Sequence, residues 1–270
     1  MRMKGRVALV TGAAAGIGKG VARRLASEGA SLWLADIHTD AGEHAAAEIR
    51  NDFGVEVGFG SADVSERVEV DAMVQAALGR FGRVDVLVNN AWGARPGRSG
   101  YSRVETLDDL DIEWALRLGS RAALWAMQAV FPGMRERHWG RVINMCSLNG
   151  VNAHPFSVDY NMAKEALRTL TRTAAREWAP HGICCNAICP GAATEAYQKF
   201  AAAQPDNAAA MLKLNPMGRM GDPEADIGSV ALFLASDDCR YLTGNTLFVD
   251  GGSHINGVPW FPEPPVSRTA

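Results

Sequence analysis

RVALVTGAAAGIG, residues 6–18, carries an apolar run straight into a glycine-bearing turn and the opening of a helical pattern. A strand that stops at a turn and restarts as a helix is the first half of a β-α-β unit. In the turn, Gly12, Gly16 and Gly18, with Ile17 between the last two, let the backbone come close to a ligand. The helix that follows offers unpaired N–H groups and a partial positive charge to a pyrophosphate. Many strand-to-helix turns hold glycine for steric reasons alone, so this stretch gains its meaning from what surrounds it.

Outward from it the same rhythm repeats. Apolar, β-rich runs recur at 31–36, 55–60, 84–90, 141–147, 183–189 and 246–250, and helical patterns fill the spaces near 17–29, 40–52, 65–81, 108–135, 156–178 and 222–235, several with Ser, Thr or Asp at the expected N-cap. The alternation predicts an α/β fold with one parallel sheet covered by helices on both faces. VDVLV and ICCNAIC read as continuous apolar runs, as strands buried on both faces should. Two stretches leave the rhythm: the Gly/Arg-rich loop at 92–103 and the proline-bearing tail at 255–270. The alanine-rich pattern of 196–212 reads as a helical lid, spanning 196–215, over a site.

With 270 residues, 47% of them apolar, the chain suits one α/β domain. A net charge of −3 gives no reason to expect nucleic acid as a partner. The first apolar run lasts only about five residues, too short for a signal peptide, and no membrane-length run follows, so the expectation is a cytoplasmic protein without a membrane partner. Cys146, Cys184, Cys185, Cys189 and Cys239 form no C-x-x-C pair and mostly sit in apolar runs, as reduced structural thiols do. The histidines fall in no metal-binding spacing.

Chemistry-bearing residues gather at the expected C-terminal ends of the strands. Asp36 ends the second strand, where a carboxylate can accept from adenosine ribose hydroxyls and would repel a 2′-phosphate. Neither Ala15 nor Ile37 supplies a cation to offset that repulsion, which favours NAD over NADP. Asp63 and Val64 after the third strand, and Asn89, Asn90 and Ala91 after the fourth, are candidates for the adenine and the nicotinamide-side ribose. Tyr160 and Lys164 lie four apart and share a helix face, where the ammonium would stabilise a phenolate. Ser147 closes the fifth strand, placed to hydrogen-bond a substrate oxygen while Tyr160 exchanges its proton.

Taken in order, TGAAAGIG, Asp36, NNA (89–91), Ser147, YNMAK (160–164) and ICPG (188–191) resemble the short-chain dehydrogenase/reductase family over about residues 5–252. The resemblance implies a doubly wound, Rossmann-like sheet of about seven strands in a single domain, 1–254. It further implies Tyr160 as general acid/base, Lys164 as the ribose-holding lysine that lowers its pKa, and Ser147 as the residue orienting the substrate oxygen. Pro190, Gly191 and Thr194 join the cofactor set, although the family's threonine usually falls at the place of Glu195. The activity implied is NAD-dependent interconversion of a small-molecule secondary alcohol and a ketone, in a homo-oligomer, a tetramer or a dimer. Enoyl reductases of the wider family space Tyr and Lys six apart and are less similar.

Two further departures stand out. Gly119 occupies the place of an asparagine that many members use in a proton relay, which leaves open a catalytically weak NAD-binding scaffold or sensor. Trp92 stands where the family has glycine, and either walls the substrate pocket or packs under the following loop. Arg95, Asn149 and His154, with the lid segment, are the remaining candidates for substrate contact. In the tail, Pro259, Pro262, Pro264 and Pro265 exclude a helix interior or a central strand, while Trp260 and Phe261 offer aromatic anchors. Residues 255–265 are therefore expected to cross a subunit boundary and help close a pocket, the alternative being a frayed chain end.

Overall fold

A computed structural model of the chain describes residues 1–97 and 102–255. The tail expectation, apart from Ile255, lies outside the described residues, as does part of the 92–103 loop.

Seven strands form one parallel sheet: β1 (Val7–Thr11), β2 (Ser31–Asp36), β3 (Val57–Ser61), β4 (Val86–Asn89), β5 (Gly140–Met145), β6 (Ile183–Pro190) and β7 (Thr246–Val249). Their order is β3-β2-β1-β4-β5-β6-β7, the doubly wound arrangement, with every pairing parallel. The order reverses between β1 and β4, and the crevice beyond the C-terminal ends of these two strands is where such sheets bind ligands.

Strand alternation divides the core in two. Ala8 and Val10 of β1 face a cluster built with α1 (Gly16–Ala26), α2 (Thr39–Phe53) and α10 (Ser229–Ala235), whereas Leu9 faces the opposite cluster. That second cluster is covered by α3 (Arg67–Phe81), α5 (Ala122–Glu136) and α7 (Val158–Trp178). β1, β4 and β5 are buried throughout, which is why their sequences are mainly apolar and do not alternate with exposed polar residues.

The helices differ from expectation in three places. The pattern at 108–135 is a continuous helical run that carries a π-helical turn: α4 (Asp109–Leu116) passes through Arg117–Arg121 into α5. The 196–212 segment is two helices, α8 (Glu195–Ala203) and α9 (Pro205–Leu214), because Pro205 lacks the N–H needed to continue the first. A short helix, α6 (Leu148–Val151), follows β5 at once, capped by the Ser147 side chain.

Candidate active site

The glycine turn after β1 is as tight as its composition suggests. Gly12 has φ +65°, and a Cβ there would lie 2.8 Å from the Ala91 Cα. A Cβ on Gly18 would meet the Gly12 carbonyl oxygen at 2.1 Å, so only glycine lets α1 start this close beneath the turn. Asn90 pins the turn from β4: its amide donates to the carbonyls of Thr11 and Gly12, each at 3.0 Å. The Thr11 hydroxyl accepts from the backbone N–H of Asn90 at 3.0 Å and of Ala91 at 3.2 Å. Asn90 thus directs its amide donors to the chain itself, and Thr11, which sequence reasoning passed over, completes the clasp.

A dinucleotide fits what remains. Ala15, the N-cap of α1, has no side-chain acceptor for the first-turn N–H groups, and these stay available to a pyrophosphate. Asp36 sits at the end of β2, held by N–H donors from Ala14 and His38, both at 3.0 Å. Two cations of α1 are spoken for: Lys19 pairs with Glu48 at 2.7 Å, and Arg23 pairs with Glu48, Asp52 and Glu224. Asp63 accepts from the Ser65 N–H beside the buried Val64. Thr194 caps α8 by accepting from the Tyr197 N–H at 3.3 Å, with its methyl group over Gly16. Pro190 ends β6, and Gly191 follows, its own N–H donating to the Val249 carbonyl.

Ser147, Tyr160 and Lys164 come together at the mouth of the crevice. The Ser147 oxygen accepts from the Asn149 N–H at 3.2 Å, and the Tyr160 hydroxyl lies beside Ser147. Burial pushes that hydroxyl above the usual tyrosine range, and the nearby Ser147 side chain draws it partly back. Lys164, one turn further along α7, is 4% exposed and donates to the Met145 carbonyl at 2.9 Å. Burial pulls its ammonium down to about 8. Desolvation is thus the largest influence on both groups here, raising the Tyr160 hydroxyl and lowering the Lys164 ammonium.

Beside these three opens a pocket of about 500 Å3, lined among others by Trp92, Arg95, Trp114, Asn149 and His154. Of the six expected substrate contacts, Trp92, Arg95, Asn149, His154 and Tyr160 line this one cavity, and Ser147 is not part of its lining. Trp92 walls it, its ring 4.7 Å from that of Tyr160 in an edge-on arrangement. Arg95 forms an ion pair with the buried Asp111 at 2.8 Å and with Asp108 at 3.4 Å. Trp114 was not foreseen. It reaches the pocket from α4 with its indole N–H donating to the Gly93 carbonyl at 3.1 Å.

A family model described as enoyl-(acyl carrier protein) reductase matches residues 12–254. The chain belongs to the short-chain dehydrogenase/reductase family. It is 36% identical to a 12alpha-hydroxysteroid dehydrogenase of Clostridium sp. (strain ATCC 29733 / VPI C48-50), over 92% of this chain and 96% of the relative. A solved levodione reductase superposes with a TM-score of 0.87 at 32% identity, covering 94% of this chain and 99% of that one. L-Sorbose reductase from Gluconobacter frateurii, solved with NADPH and L-sorbose, gives 0.86 at 31% identity, covering 94% and 98%. As a short-chain dehydrogenase/reductase the protein handles a nicotinamide cofactor and a small-molecule substrate by alcohol–ketone oxidoreduction. Among the described residues no helix is long and apolar enough to cross a membrane, and no group of His, Cys, Asp and Glu is placed to hold a metal ion.

Proposed function

We propose that this protein is an NAD(H)-dependent oxidoreductase interconverting a secondary alcohol and a ketone, with Ser147, Tyr160 and Lys164 as its catalytic residues. The observation that carries the reading is Tyr160 in the wall of the 500 Å3 pocket, with the Ser147 side chain near enough to lower its hydroxyl and the Lys164 ammonium 5.6 Å from its ring centroid. A bound nicotinamide ring supplies the carbon that takes or returns the hydride. Ser147 and Tyr160 hold the substrate oxygen between them. In reduction the Tyr160 hydroxyl gives its proton to the carbonyl oxygen, and in oxidation the Tyr160 oxygen receives the alcohol proton. The burial that keeps Tyr160 protonated suits it to the donating role at neutral pH. Lys164 would hold the adjoining ribose, Asp36 the adenosine ribose, and the first turn of α1 the pyrophosphate, with Gly12, Gly16, Ile17 and Gly18 leaving room for it.

NAD is preferred over NADP because Asp36 at the end of β2 would repel a 2′-phosphate, and Lys19 and Arg23 of α1 are already paired with carboxylates. The substrate is a cyclic or aromatic secondary alcohol or its ketone, matched to a cavity walled by two indoles in which Arg95 is bound to carboxylates and does not present a free positive charge. α8 and α9 form the lid, and the active form is a homo-oligomer in the cytoplasm.

A panel of cyclic and aromatic secondary alcohols with NAD, followed by NADH absorbance, tests this. The expected outcome is turnover that Tyr160→Phe reduces by at least about 10²-fold. Tight NAD binding with an inert panel would instead favour the scaffold reading opened by Gly119.

A further inference from the structure

Trp92 and Gly119 depart from the family pattern at two places far apart in sequence, and the fold brings them into contact. A Cβ built on Gly119 would lie 2.9 Å from Cζ3 of the Trp92 ring and 2.9 Å from the Ala163 Cβ on α7. Only a residue without a side chain lets the π-helical turn lie against both. The space a side chain at 119 would fill is taken by the indole arriving from the end of β4.

That indole bears directly on Lys164. The ammonium lies 5.0 Å from the Trp92 ring centroid and 5.6 Å from that of Tyr160. Its one hydrogen bond to protein goes to the Met145 carbonyl, out of the three an ammonium can donate. The titratable groups around it are Tyr160 on its own helix, Cys146 just after β5 and Cys189 in β6, with Glu165 and Arg168 bound to each other one residue and one turn away. Among the described residues Lys164 has no carboxylate partner. Behind it a cavity of about 10 Å3, lined by Thr11, Asn89, Gly119 and Lys164, is the size of a single water.

We propose that Trp92 is a positioning residue which, seated on Gly119, holds the Lys164 ammonium with its ring and the Tyr160 ring with its edge, in the role an anionic partner would otherwise fill. A ring within this distance of a cation attracts it through its quadrupole, and the attraction is larger where water is excluded. The indole thereby opposes the burial that lowers Lys164, and keeps the lysine charged at neutral pH. The same side chain exposes 37% of its surface, so one residue both tunes the proton-handling pair and shapes the substrate wall. The two departures are then a single exchange, with bulk moved from the helix to the loop. The importance of the exchange rests on the catalytic reading of Tyr160 and Lys164, but its test does not.

The titration of Lys164 decides it, followed by NMR in isotope-lysine-labelled protein without substrate or cofactor and assigned by Lys164→Arg. Trp92→Leu, which removes the ring, is expected to lower the Lys164 midpoint by at least about half a pH unit. Trp92→Phe, which keeps a ring, should hold it closer to the wild-type value. Gly119→Ala, by displacing the indole, should move it in the same direction as Trp92→Leu. An unchanged midpoint in Trp92→Leu, or equal shifts in the Leu and Phe variants, would overturn the proposal. If Gly119→Ala does not fold, the Leu and Phe variants decide it alone. A chain whose Lys164 behaves this way but that turns over no alcohol would leave the inference standing and remove the catalytic reading.

Discussion

At Asp36 one carboxylate sits at the strand end with its oxygens aimed by the N–H groups of Ala14 and His38. Charge-assisted hydrogen bonds to two ribose hydroxyls are worth about 1.5–3 kcal/mol each before competition with water. Asp36→Ala is therefore expected to weaken NAD binding tenfold or more and to relax discrimination against NADP, measured by calorimetric titration of each cofactor. An unaltered NAD affinity would remove Asp36 from the site. That Tyr160 and Lys164 share a helix face was legible in the sequence because spacing along a helix fixes which way they point, and Ser147, two residues past β5, lies beside Tyr160. Thr11 was not, because its hydroxyl serves the backbone of another strand. The pairing of Trp92 with Gly119 was equally invisible, since it joins a loop to a helix that the sequence separates.

Among the elements, α1 packs hardest against a π-helical turn, Pro223–Gly228, that leads into α10. A Cβ on Gly20 would approach the Pro223 carbonyl carbon to 2.4 Å, with backbone on both sides and nothing flexible to yield. Gly20→Ala is thus expected to cost about 1–3 kcal/mol, as overpacking generally does, despite alanine's better helix propensity. Urea unfolding should show a lower midpoint; a variant more stable than wild type would mean that the two elements separate freely. The seven strands could be read in advance because a parallel sheet buried on both faces leaves runs such as ICCNAIC in β6. The π-helical turn between α4 and α5 could not. A π-helical turn inserts an extra residue without any proline to announce it, and here it brings Gly119 against Trp92 and Ala163.

Across the whole molecule, buried ionisable groups set the response to alkali. Burial raises Cys146 and Cys189 to about 12 and Cys239 to about 11, from a usual value near 9. Above pH 9 the folded chain therefore keeps protons on these thiols that the unfolded chain has released, and stability falls as pH climbs toward those values. Lys164 acts in the opposite sense: lowered to about 8, it makes the folded state the poorer proton binder from there to the ordinary lysine range. The thiols outnumber it, so the urea midpoint is expected to decline between about pH 9 and 11. Cys146→Ala should flatten that decline, and an equally steep one would show that this thiol is not shielded in solution. All five cysteines are free and buried. An alkylating reagent added to the native protein consequently finds no sulfur to attack until the sheet parts, and each adduct dates an excursion from the folded state. The sealed thiols are a built-in chronometer: in a mixture of intact and damaged molecules, the alkylated fraction counts those that have opened.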